Sequence, residues 1–258
     1  MILFKTYEEI ELLRISSLLV GKTLAEVARQ IKPGVTTAAL DKIAEEFICD
    51  NGAKPAFKNY RGYPATLCIS INAEVVHGIP SPSREIKEGD IVSVDCGTLL
   101  NGYYGDSAFT FEVGEIKPEI KKLLQITREA LYKGIEQAVD GKRIGDIGHA
   151  VQSHCEAAGF SVVREMVGHG IGKSLHESPE VPNYGKRGAG TKLREGMVIA
   201  IEPMINFGKK EIVVSKDGWT ITAADGFPSA HFEHTVAVGK EKSDILSSFE
   251  WIDEILKK

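Results

Sequence analysis

Apolar residues recur near the start of the chain at Ile10, Leu13, Val20, Leu24, Val27 and Ile31. That three-four spacing predicts a helix with one buried stripe, stopped at Pro33-Gly34. Thr36 or Thr37 can cap a second helix, with Leu40, Ile43, Ala44 and Phe47 inward and Gly52 at its end. The pattern returns with a helix from about residue 118 to 139 and another over 144–158, closed by Gly159. β-Branched or alternating segments predict strands at 66–72, 91–96, 108–113, 197–201, 212–215, 219–223 and 232–238. Asp217-Gly218 predicts a hairpin turn between two of them. Helices followed by hairpins, twice over, indicate an α+β fold with antiparallel sheet and helices on one face. Phe249, Ile252 and Ile255 suggest a short docking helix near the end.

The two halves of this pattern are self-similar. Residues 88–95 and 195–202 both run from an acid-glycine turn through an apolar stretch into a carboxylate, Asp95 in one and Glu202 in the other, 107 positions apart. The same offset relates Gly34 to Gly141 and Gly52 to Gly159. A duplicated unit explains this, with halves of about 1–115 and 116–245 packed about a pseudo-twofold axis into a single unit over residues 1–258. Asp95 and Glu202 would then face each other across the axis.

Length and composition narrow the function. A chain of 258 residues is long enough to bury most of its apolar side chains. Its net charge of −5, with acids and bases well mixed, leaves no electrostatic footprint for nucleic acid. Cys49, Cys68, Cys96 and Cys155 form no C-x-x-C pair, which reads as reduced thiols in a cytoplasmic protein. The first residues carry acids where a signal peptide needs a basic and then an apolar stretch, and no apolar run approaches the ~20 residues of a membrane span.

Asp95, Asp106, His169, Glu202 and Glu233 are the candidate metal ligands. Taken singly, Asp95 at the end of a strand and Asp106 after Gly105 read as turn residues, and His169 as a hydrogen-bonded core histidine. An apolar strand seldom runs into an acid that must be desolvated, however, and here both halves do so. Buried carboxylates need cations or hydrogen bonds to stay ionised. Four carboxylates and one imidazole suit a pair of divalent ions rather than one structural zinc, which points to metal-assisted hydrolysis. His169 sits among three glycines in Gly168-His169-Gly170-Ile171-Gly172, and His176 lies too far along for a His-x-x-x-His site, so His176 is better placed as a substrate contact. His77 is a third candidate. His149 and His154, on a predicted helix, have no catalytic role.

The motifs Cys68-Ile69-Ser70-Ile71-Asn72, His77-Gly78-Ile79-Pro80, Val94-Asp95, Gly105-Asp106, Gly168-His169-Gly170-Ile171-Gly172, Glu202-Pro203 and Glu233-His234-Thr235 resemble those of the bacterial, type I methionine aminopeptidases. The resemblance runs from about Tyr7 to Val238. It implies the pita-bread fold: pseudo-twofold halves, a curved antiparallel sheet and two helix pairs on its outer face. It implies removal of the N-terminal methionine from nascent polypeptides with a small second residue, by a cytoplasmic monomer in transient contact with the ribosome.

By the same resemblance Asp95 binds one divalent ion, Asp106 and Glu233 bridge two, and His169 and Glu202 complete the ligands of the second ion, the ions being Co, Mn, Fe, Zn or Ni. His77 and His176 contact substrate, and Glu202 doubles as proton shuttle. Phe57, Tyr60, Tyr63, Cys68, Leu175 and Trp219 form the methionine pocket, and Asn72 and Ser229 hold one monovalent cation through backbone oxygens. Two positions depart from the family: His231 replaces a usual glutamine, on the same strand face as Glu233, and Leu175 stands where Phe or Met is frequent. The alternatives are a proline-specific aminopeptidase or dipeptidase of the same fold, disfavoured because residues 1–61 leave no room for the N-terminal domain those enzymes generally carry, and a non-catalytic binding protein, disfavoured because no ligand is missing.

Overall fold

A computed structural model describes residues 1–257. In chain order the elements are α1 (Tyr7–Ala28), α2 (Thr37–Asp50), β1 (Lys54–Pro55), β2 (Leu67–Ile71), β3 (Glu74–Val76), β4 (Ile91–Leu100) and β5 (Tyr103–Glu112). Then follow α3 (Pro118–Ile135), α4 (Ile144–Ala157), β6 (Ser161–Val162), β7 (Gly168–Gly170), β8 (Glu177–Val181), β9 (Val198–Ile201) and β10 (Met204–Asn206). The last are β11 (Ile212–Val214), β12 (Ile221–Ala223), β13 (Ser229–His231), β14 (His234–Ala237), β15 (Asp244–Ile245) and α5 (Glu250–Leu256). The expected helices are present. α1 begins with a capping box in which Thr6 accepts from the Glu9 N–H and the Glu9 carboxylate accepts from the Thr6 N–H. α2 is capped by Thr36, and α3 opens on Pro118 at its first turn.

Strands pair antiparallel throughout the four sheets, ordered β1-β4-β2 with β5 on β4, β13-β10-β6, β11-β12-β3, and β15-β14-β9-β7-β8. α1 packs on β4 and β5 and against α2, while α3 packs on α4 and toward β9, β10 and β13. The largest core cluster spans both sets, from Leu24 and Leu40 through Phe111 and Leu131 to Ile147 and Ile201. The 107-residue offset carries into the backbone: Gly34 and Gly141 share φ near 88°, Gly89 and Gly196 near 85°, and Gly52 and Gly159 are both left-handed. Only glycine adopts this conformation without a steric penalty, so paired turns hold the matching glycines.

Several boundaries differ from expectation: β4 runs on to Leu100 and β5 begins at Tyr103, well beyond the strands expected at 91–96 and 108–113. α3 ends at Ile135 rather than 139, because Glu136 to Val139 turn away to bring Asp140 onto the Gly239 carbonyl. Residues 232–238 do not form one strand: Phe232 and Glu233 interrupt it between β13 and β14. There the Glu233 N–H leaves the ladder and donates to the Ala108 carbonyl of β5 at 2.9 Å. Among the described residues no helix is long and apolar enough to cross a membrane.

Candidate active site

β4 and β5 form one long hairpin around Asn101-Gly102, both left-handed as a tight two-residue turn requires. Their register sets Asp95 opposite Ala108 and Gly97 opposite Asp106, while Cys68 of β2 lies opposite Asp95. Side chains alternate along a strand, so Cys68, Asp95 and Asp106 share one face. Asp95 is therefore mid-strand rather than at a strand end, and Asp106 lies within β5 rather than in a turn. Glu202 does follow directly on β9, as expected.

A seam of side chain to backbone bonds brings β5 against β13 and β14. Thr235 Oγ1 donates to the Asp106 carbonyl at 2.8 Å, Ser107 Oγ to the Glu233 carbonyl at 2.6 Å, and Thr110 Oγ1 to the His231 carbonyl at 2.7 Å. These bonds fix Asp106 beside Glu233. His169, in β7, lies 2.9 Å through Nδ1 from the Gly170 carbonyl. Nδ1–H must donate in that bond, which leaves the Nε2 lone pair free. Nε2 faces Asp106 Oδ2 at 3.8 Å and Glu202 Oε1 at 3.7 Å.

Ligand atoms of Asp106, His169 and Glu233 lie within 4.8 Å of one another, a set that fits a metal ion. Asp95 and Glu202 adjoin them. Asp95 Oδ1, Asp106 Oδ1 and Glu233 Oε1 are buried without a hydrogen-bond partner among the described residues. Burial pushes Glu202 up to about 7 against the pull of His169, and burial with repulsion from neighbouring carboxylates pushes Asp95 up to about 7 and Asp106 and Glu233 well above the usual carboxylate range. Four carboxyls held this way cannot all be ionised at neutral pH unless cations replace the lost water. The orphaned oxygens thus fit a cation-bearing site.

The cluster forms the floor of a cavity of about 180 Å³, also lined by Phe57, Tyr60, Arg61, Tyr63, Cys68, His77, Leu175, His176 and Trp219. Every residue expected in the methionine pocket reaches this cavity. Tyr63 donates its hydroxyl to the Leu67 and Gly78 carbonyls at 2.9 Å and meets Trp219 edge to face at 5.2 Å. A Cβ on Gly97 would come within 2.6 Å of Phe57, so glycine there leaves the pocket wall its place. His176 stands with Nδ1 2.8 Å from the Tyr60 hydroxyl and its ring 4.3 Å from that of His169. Burial holds His176 neutral, down at about 3, and His77 at about 4.

His231 closes β13 while Glu233 lies beyond it, so the two do not share a strand face. Its Nε2 nevertheless lies 3.6 Å from Glu202 Oε2, buried and without a hydrogen-bond partner among the described residues. Asn72 and Ser229 meet away from the cavity, where the Asn72 carbonyl accepts from the Ser229 N–H at 2.9 Å. His149 and His154 lie on α4, outside the cavity, with His154 Nε2 2.9 Å from Glu129. Sequence reasoning missed Arg61, a cavity-lining residue with a left-handed backbone, φ 50°. Nothing in Tyr60-Arg61-Gly62-Tyr63 distinguishes it from a solvated arginine.

Residues 11–240 match the model of metallopeptidase family M24. Methionine aminopeptidase from Clostridium acetobutylicum is 51% identical over 250 residues, covering 97% of this chain and all of that one. The crystal structure of methionine aminopeptidase from Thermotoga maritima superposes with a TM-score of 0.94 at 45% identity, over 96% of this chain and all of that one. The prolidase from Pyrococcus horikoshii reaches a TM-score of 0.78 at 26% identity, over 96% of this chain and 64% of its own. The two helix pairs and antiparallel sheets are those of the pita-bread fold. The chain belongs to metallopeptidase family M24 and is closely related to the bacterial-type methionine aminopeptidases.

Proposed function

We propose that residues 1–258 act as one catalytic unit, with halves of about 1–115 and 116–245, that removes the N-terminal methionine from polypeptides with a small second residue. The observation that carries this reading is a single small cavity with unpartnered carboxylate oxygens at its floor and Phe57, Tyr63, Cys68, Leu175 and Trp219 along its wall. An apolar side chain fits the wall while the adjoining terminus meets the acids. A volume of about 180 Å³ suits one end residue, not an internal stretch of chain.

Asp95, Asp106, His169, Glu202 and Glu233 would hold two divalent ions, and Co, Mn, Fe, Zn and Ni all accept such a donor set. Bound there, the ions supply Lewis acidity toward the scissile carbonyl and the attacking water. Glu202 keeps one edge on the cavity, from which its carboxylate takes a proton from the water and delivers it to the leaving amine. In the tautomer where the Tyr60 hydroxyl donates to Nδ1, neutral His176 keeps Nε2–H to donate to the carbonyl oxygen as charge develops. His77, also neutral, flanks the substrate. The second residue lies against the cluster, where only a small side chain clears the acids. Backbone oxygens of Asn72 and Ser229 would hold one monovalent cation. The reaction belongs in the cytoplasm, on nascent chains, by a monomer in transient contact with the ribosome.

The test is methionine release from Met-Ala-Ser by metal-reconstituted enzyme, beside Ala-Pro-Ser. Expected are rapid cleavage of the first, none of the second, and loss of both metal and activity after chelation. Preferred cleavage of Ala-Pro-Ser would instead identify a proline-specific peptidase.

A further inference from the structure

The loop that presents Leu175 and His176 is tied to the N-terminal segment by a buried ion pair. Lys5 Nζ lies 2.5 Å from Glu177 Oε2, with both side chains only 6% exposed. Glu177 Oε1 accepts from the Ser174 N–H at 3.2 Å, so one carboxylate joins both ends of the 174–177 turn and the lysine. The lysine is itself anchored: its own N–H donates to the Gly196 carbonyl at 2.7 Å, and Nζ also reaches the Leu3 carbonyl at 3.1 Å. Gly172 leaves space for the pair, since a Cβ there would lie 2.5 Å from Glu177 Oε1 and 2.7 Å from Lys5 Cε. A second, exposed tie runs alongside, from Lys173 Nζ to the Glu9 carboxylate of the α1 capping box at 3.3 Å. Neither Lys5 nor Glu177 lines the cavity.

We propose that Lys5 and Glu177 are positioning residues, which hold the 172–177 loop so that the His176 imidazole stays between Tyr60 and His169. The inference rests on the proposed function, since it assigns the pair's purpose through His176. Glu177 is the next residue in the chain after His176, and its backbone cannot shift without moving that imidazole. Two charges buried together are costly to assemble and are weak evidence for stability as such, so their placement beside a substrate contact calls for another explanation. Misplacing a catalytic contact by about 1 Å lowers rate up to about a hundredfold.

The test is a double-mutant cycle on Met-Ala-Ser hydrolysis by metal-loaded enzyme. Removing Lys5 alone strands a buried carboxylate, so Lys5→Met is paired with Glu177→Gln to remove both charges. The paired variant should lose between about tenfold and a hundredfold in kcat, with a smaller change in KM and unchanged metal content, and Lys5→Arg should restore most of the rate. In a His176→Ala background the same pair of substitutions should cost little more, because the group they position is already gone. An equal further loss in that background, or wild-type kcat in the paired variant, overturns the clamp. Should the unsubstituted enzyme release no methionine from Met-Ala-Ser, the function on which the clamp rests fails instead.

Discussion

Metal binding should displace protons from the carboxylate cluster, and the amount can be worked from the structure. In the metal-free chain burial raises Asp95 and Glu202 to about 7 and holds Asp106 and Glu233 well above the usual carboxylate range. A carboxyl with a pKa near 7 is roughly nine-tenths protonated at about pH 6. Asp95 and Glu202 alone therefore oblige a full complement of ions to release about two protons at that pH. Each proton released makes the observed affinity about tenfold stronger per pH unit, or about 1.4 kcal/mol. The overall constant for binding both Mn(II) ions should thus climb at least about a hundredfold per unit near pH 6, and less steeply as Asp95 and Glu202 ionise. Stability follows the same sign. Raised acids bind more protons folded than unfolded, so in the metal-free protein their contribution declines as pH rises from about 4 through 7. His77, His176 and His234 are depressed by burial to about 4, 3 and 3, and their contribution is lost instead as pH falls below about 6.5. They lie outside the ligand set, so they largely cancel when metal-loaded and metal-free Tm are subtracted, and that difference should widen from about pH 5.5 to 7.5. Calorimetry in buffers of different ionisation enthalpy counts the protons directly. Release of less than about half a proton near pH 6 would refute the reasoning.

Glu202→Gln should keep the fold and lower kcat at least about a hundredfold, far beyond any rise in KM, because a proton shuttle serves the transition state; near-wild-type kcat in metal-loaded protein removes that role. His176→Ala should cost about 3 kcal/mol of barrier, seen as about a hundredfold lower kcat/KM on Met-Ala-Ser. His231→Gln should shift the metal-activation ranking away from nitrogen-preferring Zn, Fe and Ni toward Mn, since it removes an unpartnered imidazole beside Glu202; an unchanged ranking leaves that imidazole without a part in metal choice. Met-Ala-Ser should be cleaved at least about a hundredfold faster than Met-Ile-Ser, whose branched second residue is pressed against the cluster, and matched kcat/KM values for the two peptides decide it.

Much of this was legible in the chain because it rests on long-range periodicity. Leu13, Val20, Leu24 and Val27 mark the buried face of α1, and all four are fully buried. The paired runs into Asp95 and Glu202 located the acids at the cavity floor. The short strands β3, β7, β8 and β10 were not legible, since three to five residues carry too little pattern to separate from loop. Asp95 reads as a strand end and Asp106 as a turn residue because the glycines at 97 and 105 weaken strand character, yet ladder bonds continue through both. Asn101-Gly102 was a readable signal for that hairpin. The interruption at Glu233 has no local cause: it comes from the Ala108 carbonyl far away in sequence. The Lys5–Glu177 pair was invisible for the same reason, 172 residues separating its members.

The most direct measurement is an anomalous difference map from a crystal loaded with Mn(II). Two peaks about 3.5 Å apart are expected, both enclosed by Asp95, Asp106, His169, Glu202 and Glu233, with Asp106 and Glu233 touching each. A single peak held by Asp106, His169 and Glu233 alone, or none at this cluster, would contradict the two-ion site.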